Sequence, residues 1–229
     1  MILVACGLQR EANILRGLGV IAIPGGGDSA RLETVLDGQA AGAAMIVSSG
    51  IAGALDPALK AGDIVVHHPP FVSSEVEKRA TSAAQGVSTS LDTNGWEGKL
   101  GTALPHASYG QIIGQDHIAA TAAEKAELYA ATRALAVDME SHIAARVAAR
   151  HCLPFIAIRT ISDTAHESLP PAALVGMGPD GSMALGKVLM SLARRPNQLP
   201  ALIKTGRNAE AAFRALRQVS AAIATLGHA

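Results

Sequence analysis

A chain of 229 residues can bury most of its apolar surface in one core, and no linker divides it, so one domain over residues 1–229 is expected. Its 19 basic and 19 acidic residues cancel, which excludes a long-range field that would gather nucleic acid or an anionic membrane. Although 49% of the residues are hydrophobic, much of that is alanine dispersed among charges, and no run reaches the roughly 18 apolar residues of a spanning helix.

The first apolar run, Ile2 to Cys6, ends in a cysteine like a lipoprotein cleavage box, but no charged or apolar leader precedes it, and it reads as a strand. Further short runs follow at Val20–Ile23, Met45–Ser48, Ile64–Val66, Gln111–Ile113, Leu135–Val137 and Phe155–Ile161. Between and after them, helical patterns cover Glu11–Leu18, Ala122–Thr132, Ser141–Arg150, Met183–Arg194 and Leu199–Leu226, with Thr121 and Glu124 forming a capping box. Such alternation predicts an α/β protein, a three-layer α/β/α sandwich around a mixed, mostly parallel sheet. The stretch Glu75–Gly101, around the single Trp96, reads as loop with one short helix. Cys6 and Cys152 make no disulfide framework, which points to a reducing, cytoplasmic setting. The histidines, including His67 and His68, show no metal-ligand spacing, so no metal is expected.

Gly25-Gly26-Gly27 lacks the spacing of a dinucleotide fingerprint and reads as a turn. Ser48-Ser49-Gly50-Ile51-Ala52-Gly53-Ala54 follows a buried strand and carries only small residues around one isoleucine. It is either a tight strand exit or a place where backbone approaches a planar ligand. The richest segment is Ala136–Thr164. There, Val137-Asp138-Met139-Glu140 ends one strand, and Ser162-Asp163 ends another. Ligands of open α/β sheets bind at the carboxyl ends of strands. One such acid alone is more simply a helix cap. Two at neighbouring strand ends, with Glu11 just after the first strand, favour a site. Arg159, inside an apolar strand, is expected to pair with one of these acids.

These residues resemble the superfamily of purine nucleoside phosphorylases and methylthioadenosine/S-adenosylhomocysteine nucleosidases, which share a strand-end Met-Glu and a Ser-Asp after the next strand. Gly50-Ile51-Ala52-Gly53 and Leu59–Val66 match the base-binding loop and following strand of that family. A narrower resemblance, to the hopanoid-associated phosphorylases, rests on Val137–Ala148, Ser168–Leu174, Pro179-Asp180-Gly181 and Arg195–Pro200. The resemblance implies cleavage of the N-glycosidic bond of an adenine nucleoside, adenosylhopane in the narrower case, with methylthioadenosine or S-adenosylhomocysteine as the alternative substrate. A nucleoside-binding protein without turnover is the second alternative.

The resemblance implies roles for individual residues. Asp163 would protonate the purine, Glu140 would hold a ribose hydroxyl and steady the sugar cation, and Glu11 would be the base. Gly50, Ile51, Ala52, Gly53, Asp138, Met139 and Ser162 would bind substrate. No cofactor is implied, and phosphate or water would be the acceptor. Ser48 stands where phosphorylases carry a phosphate-binding arginine, leaving Arg10 or Arg159 to supply that charge. A homodimer or higher oligomer is also implied. A hopane tail would need an apolar mouth, expected from Leu169–Val175 and Met177, with loose docking at the inner face of the membrane.

Overall fold

The computed structural model describes residues 1–67, 96–175, 181–182 and 184–226. The expectations for His68, residues 75–95, Met177 and the start of a helix at Met183 lie outside the described residues. In chain order the elements are β1 (Ile2–Cys6), α1 (Gln9–Leu15), β2 (Val20–Pro24), α2 (Ser29–Ala40), β3 (Met45–Ala54) and β4 (Ile64–His67). Then come α3 (Trp96–Ala103), β5 (Ser108–Tyr109), β6 (Ile112–Gly114), α4 (Ala122–Thr132), β7 (Ala136–Asp138), α5 (Ser141–Arg150) and β8 (Phe155–Asp163). The chain ends in α6 (Pro171–Leu174), α7 (Leu185–Arg194), a 3-10 turn at Pro196–Gln198, and the long α8 (Leu199–Leu226).

The strands pair in the order β2-β1-β3-β8-β4-β5, with β7 joining β3 and β6. Most pairings are parallel, and β3–β7 and β4–β8 are antiparallel. Alternation along β1 divides the core: Ile2, Val4 and Cys6 join Phe213, Leu216, Val219 and Ile223 of α8 on one face. Leu3 and Ala5 join Leu32 and Leu36 of α2 and Ile143 and Val147 of α5 on the other. Each such leucine, isoleucine or phenylalanine removed from water contributes about 1.5–3 kcal/mol, which is what clamps the helices to the sheet. The architecture is the expected three-layer one.

Two helices, α2 and α6, escape the sequence pattern. α2 buries only Leu32, Leu36 and Ala40, one residue per turn, and its interior Gly38 weakens the pattern further. Its start is legible in hindsight, because the Asp28 side chain accepts from the Arg31 N–H at 2.9 Å. α6 is only four residues long, whereas α3 begins at Trp96 within the stretch expected to hold one short helix.

β3 positions the site. It runs ten residues, six beyond the apolar run, because Ile46 to Ala52 stay in register with β8 whatever their side chains, and Gly53, after a shift of register, pairs with Asp163. Its other edge changes partner. Met45–Ser48 pair with β1, while Gly53 and Ala54 pair with β7. The edge of β3 between Ser48 and Gly53 therefore faces the point where β1 ends and β7 ends, a switch point of the kind where α/β sheets bind ligands. One expectation is corrected here. β7 and β8 are not neighbours but flank β3 on opposite edges, and β7 runs against it. The two acidic clusters meet across β3.

Candidate active site

A cavity of about 170 Å³ opens at this switch point. Gly7, Leu8 and Glu11 reach it from the end of β1 and the start of α1; Ile51, Ala52 and Gly53 from β3; Val137, Asp138, Met139 and Glu140 from β7; and Ser162 and Asp163 from β8. His117, Ile118, Ala119 and Leu169 complete the wall. Of the site residues expected from sequence, Gly50 alone is off this wall. A Cβ there would lie 2.8 Å from Glu11 Oε1 and 2.9 Å from Arg159 Nη1, so the glycine makes room for the acid and the guanidinium behind the wall, and not for a ligand.

Glu11 is held by backbone. Its Oε2 accepts the N–H groups of Gly7 and Leu8, both at 2.7 Å, and its Oε1 accepts that of Ile51 at 2.8 Å. Burial pushes its carboxyl above the ordinary value, with those hydrogen bonds and Arg159 pulling the other way. Glu140 faces it across Gly7, where a Cβ would meet Glu140 Oε1 at 2.8 Å and Glu11 Oε2 at 3.5 Å. Burial raises the Glu140 carboxyl to about 8; Arg159 opposes the shift, and Asp138 and Glu11 add to it. Cys6, on the strand leading in, is likewise pushed up by burial and by the charges of Glu11 and Glu140.

Arg159 is fully buried. Its Nε donates to Asp138 Oδ2 at 2.8 Å, its Nη2 donates to Ser48 Oγ at 2.6 Å, and its Nη2 lies 3.3 Å from Glu140 Oε2. Burial opposes its charge, but Asp138, Glu140 and Glu11 outweigh that and hold it firmly protonated. Asp138 spends all its acceptors within the protein. Its Oδ1 takes the N–H groups of Glu140 and Ser141 at 2.9 and 2.8 Å, starting α5, and its Oδ2 takes Arg159 and the Ser141 hydroxyl. It lines the cavity with those acceptors already engaged within the protein. The expectation for Arg10 is corrected: it forms a two-pronged pair with Glu210 and stacks over Phe213, outside the cavity.

Asp163 carries a partner that the sequence reading missed. Lys125, fully buried on α4, donates to Asp163 Oδ2 and, at 3.0 Å each, to the carbonyls of Thr164 and Glu167. All three ammonium protons are thus placed. Ser162 Oγ donates to Asp163 Oδ1 at 2.7 Å, and a Cβ on Gly53 would crowd Oδ2 at 3.0 Å. The missed signal was a lysine at the fourth position after the Thr121 cap, between the half-buried Glu124 and the exposed Glu127 of the same helix. A lysine there is ordinary surface unless tertiary packing turns it inward. His142, expected to be packing or surface, is buried, with Nε2 3.1 Å from Asp116 Oδ1.

Residues 25–194 match the model of the Phosphorylase superfamily, about three quarters of the chain. The chain belongs to the phosphorylase superfamily. Glu11 precedes the matched stretch, so its assignment rests on geometry. No curated protein matches the chain by sequence. Among solved structures it is similar to the S-adenosylhomocysteine nucleosidase of Streptococcus pyogenes bound to 5-methylthiotubericidin, with 19% identity, 95% of this chain and 94% of that one covered, and a TM-score of 0.60. It is also similar to the methylthioadenosine/S-adenosylhomocysteine nucleosidase of Colwellia psychrerythraea in complex with adenine, with 20% identity, 83% and 95% coverage, and a TM-score of 0.59. The futalosine hydrolase of Helicobacter pylori shares 18% identity over 95% of each chain, with a TM-score of 0.55. These likenesses show the fold, a mixed sheet with helices on both faces. Together with the family match, they agree with the expected class of nucleoside phosphorylases and nucleosidases.

Proposed function

We propose that this protein hydrolyses the N-glycosidic bond of an adenine nucleoside. The observation that carries the reading is the convergence of Glu11, Glu140 and Asp163 on one cavity at the switch point of the sheet. Two of these acids serve the sugar and one serves the base. Glu140, beside Met139, accepts a ribose hydroxyl and stabilises the positive charge that develops as the bond lengthens. Asp163 hydrogen-bonds the purine, and a base leaves far more readily once protonated. Since Asp163 sits in an ion pair with Lys125, the proton comes through that pair. The ammonium gives one proton to the carboxylate as the carboxylate gives one to the ring nitrogen, leaving a neutral amine on Lys125.

Water, and not phosphate, is the proposed acceptor. Arg159, among Glu11, Asp138 and Glu140, engages Asp138, Ser48 and Glu140 through Nε and Nη2, and it is fully buried behind Gly50 and off the cavity wall, with Nη1 unpartnered among the described residues. A phosphate in the cavity would meet no lysine or arginine among the described lining residues. Glu11, its carboxyl raised by burial, is the proposed base for the water. For the 5′ substituent we propose the hydrocarbon of adenosylhopane, supported by the motif resemblance and by apolar Ile118, Ala119 and Leu169 on the cavity wall. The names of the structural relatives favour methylthioadenosine or S-adenosylhomocysteine as the second reading. Chromatography of adenine released from the three substrates separates these readings. Adenine release from adenosylhopane in detergent, faster than from either thio-nucleoside, supports the first, and the reverse order refutes it. Binding of adenine without turnover of any of the three would leave a nucleoside-binding protein.

A further inference from the structure

α7 is built for a surface that the described residues do not supply. At 100° per residue, Leu185, Val188, Leu189 and Leu192 form one apolar stripe, and Lys187, Ser191 and Arg194 lie opposite. A helix of this pattern ordinarily lays its stripe on the core. Here no residue of α7 is buried, and Leu185, Leu189 and Met190 are 62%, 65% and 55% exposed. The groove between α6 and α7 shows why. On the α7 side it is lined by Gly186, Lys187, Met190, Ser191 and Arg194, so the polar side of the helix faces α6, while on the stripe Leu185 and Leu189 are exposed and Val188 and Leu192 half-buried. 

Charge selects the occupant. Between Asp180 and Glu210 the chain carries Lys187, Arg194, Arg195, Lys204 and Arg207 and no acid, although the whole chain is neutral. Lys204 pairs with Glu167, whereas Lys187, Arg194 and Arg195 are exposed and have no acidic partner among the described residues. A second copy would meet this face with the same face, bringing like charges together. An apolar stripe backed by uncompensated cations fits an anionic bilayer: leucines enter the acyl boundary and the cations meet headgroup phosphates.

We infer that α7 docks this protein on the surface of an anionic lipid bilayer. The inference stands on α7 and not on the proposed reaction, but it bears on it. α6 starts two residues after Leu169 of the cavity wall, and the Gln9 N–H donates to the Gly181 carbonyl at 3.0 Å, tying the chain ahead of α7 to the loop after β1. Docking therefore holds the cavity close to the lipid, where a nucleoside with a hydrocarbon tail resides.

The test is co-sedimentation of the full chain, without substrate, with vesicles of phosphatidylcholine alone or mixed equally with phosphatidylglycerol. With three cations that have no acidic partner among the described residues, binding to the anionic vesicles is expected to be about 100-fold tighter than to the neutral ones, and to weaken with salt. The double variants Leu185→Ser/Leu189→Ser and Lys187→Glu/Arg194→Glu are each expected to lose at least about tenfold in vesicle affinity, while circular dichroism and adenine release from a water-soluble nucleoside stay at wild-type levels. Wild-type protein left in the supernatant with anionic vesicles overturns the inference, as does undiminished binding by both variants. A dimer in gel filtration that the leucine variant dissociates, with vesicle binding unchanged, overturns it in favour of a second copy. Each of these outcomes leaves the glycosidic reading to its own assay.

Discussion

Lys125 offers the sharpest separation between holding Asp163 in place and supplying it with a proton. Lys125→Met removes the cation that Asp163 pairs with among the described residues, leaves that buried carboxylate unpaired, and strands the carbonyls of Thr164 and Glu167. Breaking a buried pair by removing one partner costs about 3–5 kcal/mol. For a chain of this size each kcal/mol moves the melting point by about 2–4 °C, so a fall of roughly 6–20 °C is expected by calorimetry. Lys125→Arg keeps a cation beside Asp163, at about 1–3 kcal/mol for the larger group in a filled space. A guanidinium, however, does not give up a proton in a protein. Adenine release at saturating nucleoside is therefore expected to fall about 10²–10⁴-fold in both variants, with KM changed far less, because proton transfer to the leaving base acts only in the transition state. Turnover by Lys125→Arg at the wild-type rate would refute the relay, and a Lys125→Met protein melting at the wild-type temperature would refute the pair.

Three other outcomes follow from the same geometry. Asp163→Asn, measured by adenine release and by adenine binding in calorimetry, is expected to abolish the first and keep the second; unaltered turnover contradicts the role of Asp163. The Glu140 carboxyl is raised from 4.5 to about 8, so its contribution to stability is full below pH 4.5 and is lost as pH rises through about 8. At about 1.4 kcal/mol per unit, Glu140→Gln is expected to gain as much as about 4 kcal/mol relative to wild type between pH 5 and pH 8.5, and parallel denaturation curves at the two pH values would count against it. The same carboxyl must be ionised to steady the sugar cation, so kcat/KM is expected to rise with pH to a midpoint near 8, and Asp138→Asn, by removing a charge that raises Glu140, to move that midpoint downward.

The sequence carried the parts of this account that repeat or stand in line. The sheet was legible because the first strands are continuous apolar runs, and Glu140 and Asp163 because each ends such a run. α2, with one buried residue per turn, was not legible, nor was the length of β3, whose glycines and serines are held by main-chain pairing with β8. The partner of Asp163 was invisible for another reason: Lys125 and Asp163 are 38 residues apart, and nothing local to α4 shows that its first turn faces inward. Gly50 shows the converse. Its smallness was evident, but whether it admits a ligand or a side chain was decided by Glu11, 39 positions earlier. The failed reading of Arg10 has a similar source, since Glu210 comes from the far end of the chain.

The central claim is that Glu11, Glu140 and Asp163 cleave an adenine nucleoside with water. Its most direct test is chromatography and mass spectrometry of the products formed in heavy-oxygen water, with and without inorganic phosphate. The account predicts adenine at equal rates in both conditions and a free sugar carrying heavy oxygen at its anomeric carbon. Adenine released only with phosphate, as the sugar phosphate without heavy oxygen, would contradict it.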